Sequence, residues 1–256
     1  MPRVKLFGIE VDNLNMDEAI EEIEKIILLN NGYKYVVTPN VDHIVKLQVE
    51  SDFKNVYKDA ALVLADGQPL VWASRILNCK LKEKVSGSDL FPILCSKAAE
   101  KGYKVFFLGG NLGVAAKAAE ELTNKNLGLK VCGTYSPPYG FENDETENDK
   151  INKMLLKANP DILFVGLGAP KQENWIYNNK EKYKVAVSLG IGASFDFEAK
   201  TIKRAPRWVQ NSGLEWFYRF TCEPKRLFKR YFIDDSKFIM IILKELLKNK
   251  NTNQHI

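Results

Sequence analysis

Short apolar runs alternate with amphipathic stretches along residues 1–199, and few folds satisfy this pattern. The apolar runs predict strands at residues 6–11, 35–38, 61–65, 105–108, 130–133, 161–165 and 185–189. The amphipathic stretches predict helices at residues 17–29, 41–48, 69–77, 113–122, 145–157 and 171–178. Strands that alternate with helices form a parallel sheet with helices on both faces, joined by right-handed crossovers. The sequence therefore predicts an α/β fold for this part of the chain.

The last part of the chain differs in charge from the rest. Residues 200–256 contain 13 Lys and Arg against 5 Asp and Glu, a net charge of +8, whereas the whole chain carries +5 and residues 1–199 therefore carry −3. Short helices are predicted at residues 208–220, 224–232 and 236–248. We therefore divide the chain into an α/β body, residues 1–199, and a basic, amphipathic, helical appendage, residues 200–256.

Aromatic side chains and arginines are interleaved in this appendage. The aromatic residues are Trp208, Trp216, Phe217, Tyr218, Phe220, Phe228, Tyr231 and Phe232, and the arginines are Arg204, Arg207, Arg219, Arg226 and Arg230. This mixture favours a surface that is both anionic and apolar, such as a membrane face with acidic lipids. Single-stranded nucleic acid is a competing interpretation, because bases stack on aromatic rings between phosphate contacts. The third interpretation is an amphipathic domain that is exposed to solvent and binds neither.

Composition restricts the compartment and the cofactors. The four cysteines form no CxxC pair, which favours a reducing compartment and argues against a disulfide framework or a zinc ribbon. Two histidines make a His-based metal site improbable. The N-terminus has no signal-peptide core, and the longest apolar runs, residues 60–65 and 238–243, are far shorter than the roughly 20 residues that span a bilayer. We expect a cytoplasmic protein, peripheral on the inner face of the cell membrane.

Polar residues and glycines follow five of the predicted strands. Because ligands of an open parallel sheet bind beyond the carboxyl ends of its strands, we expect a site there. Asp66 follows a buried strand and is the best candidate for a general base, with helix capping as the alternative. Thr38 and Asn40 follow a neighbouring strand and suit hydrogen bonds to sugar hydroxyls, with a capped turn as the alternative.

A glycine turn, Gly109-Gly110, follows another predicted strand and precedes a helix. Such a turn lets backbone N–H groups approach a phosphate at the helix N-terminus. The segment does not match the GxGxxG fingerprint, and the acidic residue that would bind a dinucleotide ribose is absent, so the pattern favours a nucleotide phosphate over NAD. A purely structural turn remains the alternative. No GxxxxGK[ST] segment is present, which excludes a P-loop NTPase.

Eight segments together resemble the WecG/TagA/CpsF family of glycosyltransferases. They are TPNVD (residues 38–42), ADGQP (65–69), VSGSDL (85–90), FLGG (107–110), GLGAPKQE (166–173), GASFDF (192–197), RAP (204–206) and EPKRL (223–227). Each segment alone is a modest signal, but in this order they cover nearly the whole chain. The resemblance implies a Rossmann-like α/β body with a C-terminal appendage that meets the membrane and helps complete the site.

The resemblance also implies an activity. It is the inverting, metal-independent transfer of N-acetylmannosamine from UDP-N-acetylmannosamine (UDP-ManNAc) to the 4-hydroxyl of N-acetylglucosamine on undecaprenyl diphosphate, in the linkage unit of wall teichoic acid. The UDP-sugar is a substrate, so no cofactor and no metal are expected, and nucleic acid is not an expected partner. Assembly into a homo-oligomer stays open. Another UDP-sugar, with mannosaminuronic acid or glucose, is the alternative within the family; a non-catalytic membrane- or nucleic-acid-binding module is the alternative outside it.

The resemblance assigns roles by position. Asp66 corresponds to the base that deprotonates the acceptor hydroxyl. The expected sugar contacts are Thr38, Asn40 and Gln172; the expected UDP pocket is Gly110, Tyr135, Ile191 and Asp196; the expected cations over the diphosphate are Arg219, Arg226 and Arg230. Two positions depart from the family pattern: Lys84 stands where relatives often have Arg, and Lys200 stands where many have Gly.

Overall fold

A computed structural model describes the backbone of residues 3–253, and the side chains of these residues except Asn211, Arg226 and residues 249–253. The strands are β1 (Arg3–Leu6), β2 (Ile9–Asp12), β3 (Lys34–Val37), β4 (Leu62–Val63), β5 (Lys104–Gly109), β6 (Lys130–Tyr135), β7 (Ile162–Gly166) and β8 (Val187–Gly190). Six of them form one sheet in the order β4-β3-β8-β7-β5-β6, with every neighbouring pair parallel. This confirms the predicted α/β fold and places all six carboxyl ends at one edge.

Thirteen α-helices in the described part of the chain surround and follow this sheet. They are α1 (Met16–Leu29), α2 (Val41–Leu47), α3 (Ser51–Lys58), α4 (Gln68–Ile76), α5 (Gly87–Lys101), α6 (Val114–Lys125), α7 (Glu145–Ala158), α8 (Lys171–Tyr183), α9 (Ser194–Glu198), α10 (Arg207–Asn211), α11 (Glu215–Cys222), α12 (Pro224–Phe228) and α13 (Lys237–Asn253). A 3-10 helix (Phe141–Asn143) precedes α7, and a π-helix (Lys229–Asp234) follows α12. Local sequence sets the ends: α1 begins at a reciprocal capping box of Asn15 and Glu18 and ends at Asn30, which is left-handed.

Three secondary-structure predictions were wrong or incomplete. Residues 6–11 form a hairpin rather than one strand, because Phe7 (φ 54°) and Gly8 (φ 84°) turn the chain between β1 and β2. Residues 208–220 form two helices, α10 and α11, because Gly213 adopts φ 77° between them. Helices α3, α5 and α9 were not predicted.

The sheet separates two hydrophobic clusters, and alternate residues of each strand point to opposite clusters. On β3, Tyr35 and Val37 join one cluster and Val36 joins the other. The appendage contributes to the first cluster through Phe238 of α13, which is 6% exposed and packs edge-on against Phe7 with ring centroids 5.1 Å apart. The division at residue 200 stays a prediction, and α13 packs directly on the body.

Within residues 3–253, no helix combines the length and the apolar content needed to cross a bilayer.

Candidate active site

Asp66 lies at the carboxyl edge of the sheet, just after β4. Its backbone N–H donates to the Pro39 carbonyl oxygen (2.8 Å), which joins the loop after β4 to the loop after β3. Helix α4 begins one residue later with Gly67 as its cap and without a side-chain cap, so the capping alternative for Asp66 is wrong. The carboxylate has no hydrogen-bond partner among the described side chains, and it is therefore free to accept a proton from a substrate.

The surroundings of Asp66 tune its acidity. Burial raises the pKa of this carboxyl from 3.8 to about 7; Lys84 opposes the rise, Glu215 and Asp89 add to it, and Arg219 opposes it. The side chain remains partly exposed, so a substrate can reach it. A base whose pKa is close to the working pH is efficient, because it is ionised often enough to act and still holds a proton strongly. A carboxyl with this pKa suits general-base catalysis, and that role of Asp66 stays a prediction.

The loop after β3 brings Thr38 and Asn40 to the same edge. Thr38 is 5% exposed. A Cβ built on Gly87, at the start of α5, would lie 3.5 Å from Thr38 Oγ1 and 3.3 Å from Ile191 Cα, so the ends of β3 and β8 converge on α5. The side-chain oxygen of Asn40 caps α2 by accepting the His43 N–H (3.3 Å), as the capping alternative predicts. Its NH₂ group has no partner among the described residues and can donate to a sugar hydroxyl.

A network of charges lies beside Asp66 and joins body to appendage. Lys84 Nζ lies 3.1 Å from Asp89 and 3.9 Å from Glu215. Arg204 reaches the same two carboxylates, at 2.7 Å and 3.1 Å. Lys84, which stands where relatives often have Arg, therefore has two carboxylate partners. The sequence analysis did not place Arg204, Asp89 or Glu215 in the site. Two of these residues lie in segments that resemble the family: Arg204 in RAP and Asp89 in VSGSDL.

The three arginines expected over the diphosphate have different surroundings. The Arg219 guanidinium lies 5.4 Å from the Phe197 ring centroid, and its buried Nε has no hydrogen-bond partner in the described structure. Arg230 lies over α2 instead, 3.7 Å from Asp42 and 3.9 Å from Asp235. The side chain of Arg226 lies outside the described residues. Arg219 is thus a cation whose charge acts on Asp66 and which retains a free donor.

The residues expected to bind UDP lie along the strand ends. Gly110 donates its N–H to the Gly166 carbonyl (2.8 Å), which draws the ends of β5 and β7 together. A Cβ at the preceding residue, Gly109 (φ 117°), would overlap the same Gly166 oxygen, so this turn requires glycine. The Ile191 N–H donates to the Val165 carbonyl (2.9 Å), which fixes the loop after β8. These backbone contacts fix the ends of β5, β7 and β8 relative to one another.

The other two residues of the expected pocket have partners of their own. Tyr135 ends β6, and its hydroxyl hydrogen-bonds to Glu147 and Lys150 of α7. Lys150 Nζ also lies over the Tyr135 ring, 4.6 Å from its centroid. Asp196 of α9 accepts a hydrogen bond from the Thr201 hydroxyl (3.1 Å). Contact of these residues with UDP stays a prediction. So does the sugar contact of Gln172, which is 3% exposed at the start of α8.

Lys200, the second departing position, adopts φ 58°, the left-handed conformation that glycine accommodates without strain. The lysine side chain is anchored by an ion pair with Glu121 (2.6 Å). Among residues 3–253, no three His, Cys, Asp or Glu side chains are grouped so that they could hold a metal ion.

Comparisons with known proteins identify the family of the chain. A family model described as "Glycosyl transferase WecG/TagA/CpsF family" matches residues 4–252. A protein of Bacillus subtilis (strain 168) named N-acetylglucosaminyldiphosphoundecaprenol N-acetyl-beta-D-mannosaminyltransferase is 32% identical over 240 residues, which cover 94% of this chain and 90% of that protein. Proteins of the same name from Bacillus spizizenii and Staphylococcus aureus (strain MRSA252) are 30% and 28% identical, each over 88% of this chain and over 84% and 87% of their own lengths.

Proposed function

The chain belongs to the WecG/TagA/CpsF family of glycosyltransferases, and we propose that it transfers N-acetylmannosamine from UDP-ManNAc to the 4-hydroxyl of N-acetylglucosamine on undecaprenyl diphosphate. This is a step of linkage-unit assembly in wall teichoic acid. The names of the relatives support the transferred sugar and the lipid-linked acceptor. The observation that carries the chemistry is the Asp66 carboxyl, with a pKa of about 7, at the end of a strand.

The proposed reaction is a single displacement. Asp66 accepts the proton of the acceptor 4-hydroxyl as its oxygen attacks the anomeric carbon of N-acetylmannosamine. The bond from that carbon to the UDP oxygen breaks at the same time, and the bonding electrons leave with UDP. One displacement inverts the anomeric centre, so one base suffices and no covalent intermediate forms.

Cations of the appendage stabilise the leaving group in this proposal. Charge develops on the diphosphate as UDP leaves, and a preorganised donor in a partly buried site stabilises it strongly. Arg219 suits this role because its buried Nε has no partner in the described structure and its charge already acts on Asp66. Such guanidinium groups supply the countercharge that a metal ion supplies elsewhere, and we therefore propose that transfer proceeds without a metal.

The surface of the appendage supports a membrane-bound location. Large apolar side chains are exposed there, beside its basic residues: Trp208, Leu214, Trp216, Phe217, Phe228, Phe232, Ile233, Ile239, Met240, Leu243 and Leu247. Such a surface binds the boundary between lipid head groups and acyl chains. We propose that it docks on the inner face of the cytoplasmic membrane and brings the strand ends to the lipid diphosphate.

The test is release of UDP from UDP-ManNAc in the presence of a short-chain lipid analogue of N-acetylglucosamine diphosphate, with EDTA and without added metal. The native chain should release UDP only when both substrates are present, and Asp66→Asn should lose release while it still binds UDP. Release with UDP-mannosaminuronic acid or UDP-glucose instead would refute the donor and keep the family. If no UDP-sugar yields UDP, the proposed activity is refuted.

A further inference from the structure

Glu173 is a buried carboxylate that the proposed reaction does not use. It lies in the first turn of α8 and has no solvent exposure. One oxygen, Oε1, accepts a hydrogen bond from Gln172 Nε2 (2.7 Å), and the other, Oε2, has no partner in the described part of the chain. Burial raises the pKa of this carboxyl to about 7. A buried, half-satisfied carboxyl costs stability, so its presence calls for a reason other than stability.

The neighbouring His43 side chain does not neutralise Glu173. His43 Nε2 lies 4.0 Å from Glu173 Oε1, and His43 Nδ1 lies 2.5 Å from the Tyr57 hydroxyl. Burial lowers the pKa of His43 to about 3, so this imidazole is neutral at physiological pH. The short contact that Glu173 does make is therefore the one to Gln172.

Gln172 transmits that contact to the loop after β8. Its side-chain oxygen Oε1 accepts the Gly192 backbone N–H at 3.0 Å. Its Nε2 lies against the strand end, because a Cβ on Gly190 would come within 2.7 Å of it. The φ of Gly190 is not in the left-handed region, so glycine is not required there by the backbone conformation. It is required because a side chain at residue 190 would clash with Gln172. The Gln172 carboxamide is thus packed between the start of α8 and the turn from Gly190 to Gly192.

The carboxamide has two ends, and only one orientation satisfies both neighbours. With Oε1 toward Gly192 N–H and Nε2 toward Glu173, each donor meets an acceptor. The flipped orientation would put two donors together at Gly192 and two acceptors together at Glu173. The Glu173 carboxyl therefore selects the orientation that holds the turn.

We propose that Glu173 is a positioning residue: it orients Gln172, and Gln172 holds the turn at residues 190–192 in the shape that binds the uridine diphosphate of the donor. The turn contains Ile191, which the family resemblance places in the UDP pocket. The link to UDP rests on the proposed function. The orientation of Gln172 and the restraint on Gly192 follow from the contacts alone, and each part has its own measurement.

The first measurement is hydrogen exchange of the Gly192 amide in the free, full-length protein. Glu173→Leu keeps a side chain of similar size and removes the acceptor, whereas Glu173→Gln keeps an oxygen that can accept from Gln172. We expect exchange at Gly192 to accelerate roughly tenfold or more in the Leu variant and to stay near the native rate in the Gln variant. If the Gly192 amide is equally protected in the native protein and both variants, or loses protection equally in both variants, Glu173 does not restrain the turn through Gln172.

The second measurement is UDP affinity by calorimetry. Glu173→Leu should weaken binding of UDP by roughly 10- to 100-fold, because a displaced turn misplaces the groups that contact the ligand. Glu173→Gln should restore most of the affinity. If Glu173 acts through Gln172, adding Glu173→Leu to Gln172→Met should produce no further loss, whereas additive losses would overturn the proposal.

Tyr183→Phe is the matched control. It removes a buried hydrogen bond between the same helix and strand, from the Tyr183 hydroxyl to Ser188 (2.8 Å), away from the turn. Its melting temperature should fall while Gly192 protection and UDP affinity stay native. Native UDP affinity in Glu173→Leu, with lost Gly192 protection, would refute the donor link alone. A native chain that neither binds UDP nor transfers sugar would refute the proposed function. The restraint on Gly192 would then be tested by hydrogen exchange alone.

Discussion

Replacement of Asp66 by Asn should slow the enzyme and stabilise the fold, and both effects have the same cause. Burial raises the pKa of Asp66 from 3.8 to about 7. That difference corresponds to a ceiling of about 4 kcal/mol between folded and unfolded states once the carboxyl is ionised in both. Because the side chain is partly exposed and water screens its charge, we expect a measured gain of about 1–2 kcal/mol for the Asn variant.

The sign follows from proton binding. Between about pH 4 and pH 7 the unfolded Asp66 has lost its proton while the folded one retains it, so native stability falls as pH rises through this window. The amide in the Asp66→Asn variant cannot ionise, so the variant lacks this loss. Its stability advantage should therefore be small at pH 4, grow up to about pH 7 and stay constant above it.

Urea unfolding of both proteins at several pH values between 4 and 8.5 measures this difference. Asp149→Asn, an exposed acid on α7, serves as the control for a lost charge. In parallel, transfer by the Asp66→Asn enzyme should fall by about 10²- to 10⁴-fold while UDP affinity is retained, and the native kcat/KM should rise with pH to a plateau above about 7. Identical pH slopes of stability in the native and Asp66→Asn proteins would refute the argument from burial, and full turnover would refute the base.

Three further changes follow from the structure. Lys84→Met removes a cation that lowers the pKa of Asp66, so the kcat/KM of the variant should rise with pH at a higher midpoint than that of the native enzyme. An unchanged midpoint would contradict the placement of Lys84 beside the base. Phe238→Ala should lower the free energy of unfolding by about 3 kcal/mol, because Phe238 packs on Phe7 in the core; a loss below about 0.5 kcal/mol, measured in urea, would show that α13 does not pack there. Lys200→Gly should raise the melting temperature through a gain of about 1 kcal/mol, because φ is 58°; a lower melting temperature would show that the lost ion pair outweighs the backbone relief.

The sequence predicted the alternation of strands and helices in the parallel sheet, the position of Asp66 after a strand, and the charge of the appendage. Hydrophobic periodicity is a local property, and in a parallel sheet it also determines which residues follow a strand. The hairpin at Phe7-Gly8 was missed because the predicted strand, residues 6–11, runs through the turn. The break at Gly213 was missed although residues 210–213, QNSG, carry a turn signal between the two apolar segments.

The tertiary structure alone decided which charges meet. Arg204 reaches Asp89 from a distant part of the chain and also pairs with Glu215. Arg219 acts on Asp66, whereas Arg230 pairs with Asp42. The role of Glu173 was hidden for the same reason, since its effect depends on the direction of one carboxamide against a turn nearly twenty residues away. Periodicity predicts which face of an element is buried, but the partner of a buried polar group depends on side-chain directions and on contacts between distant segments, and these exist only once the chain has folded.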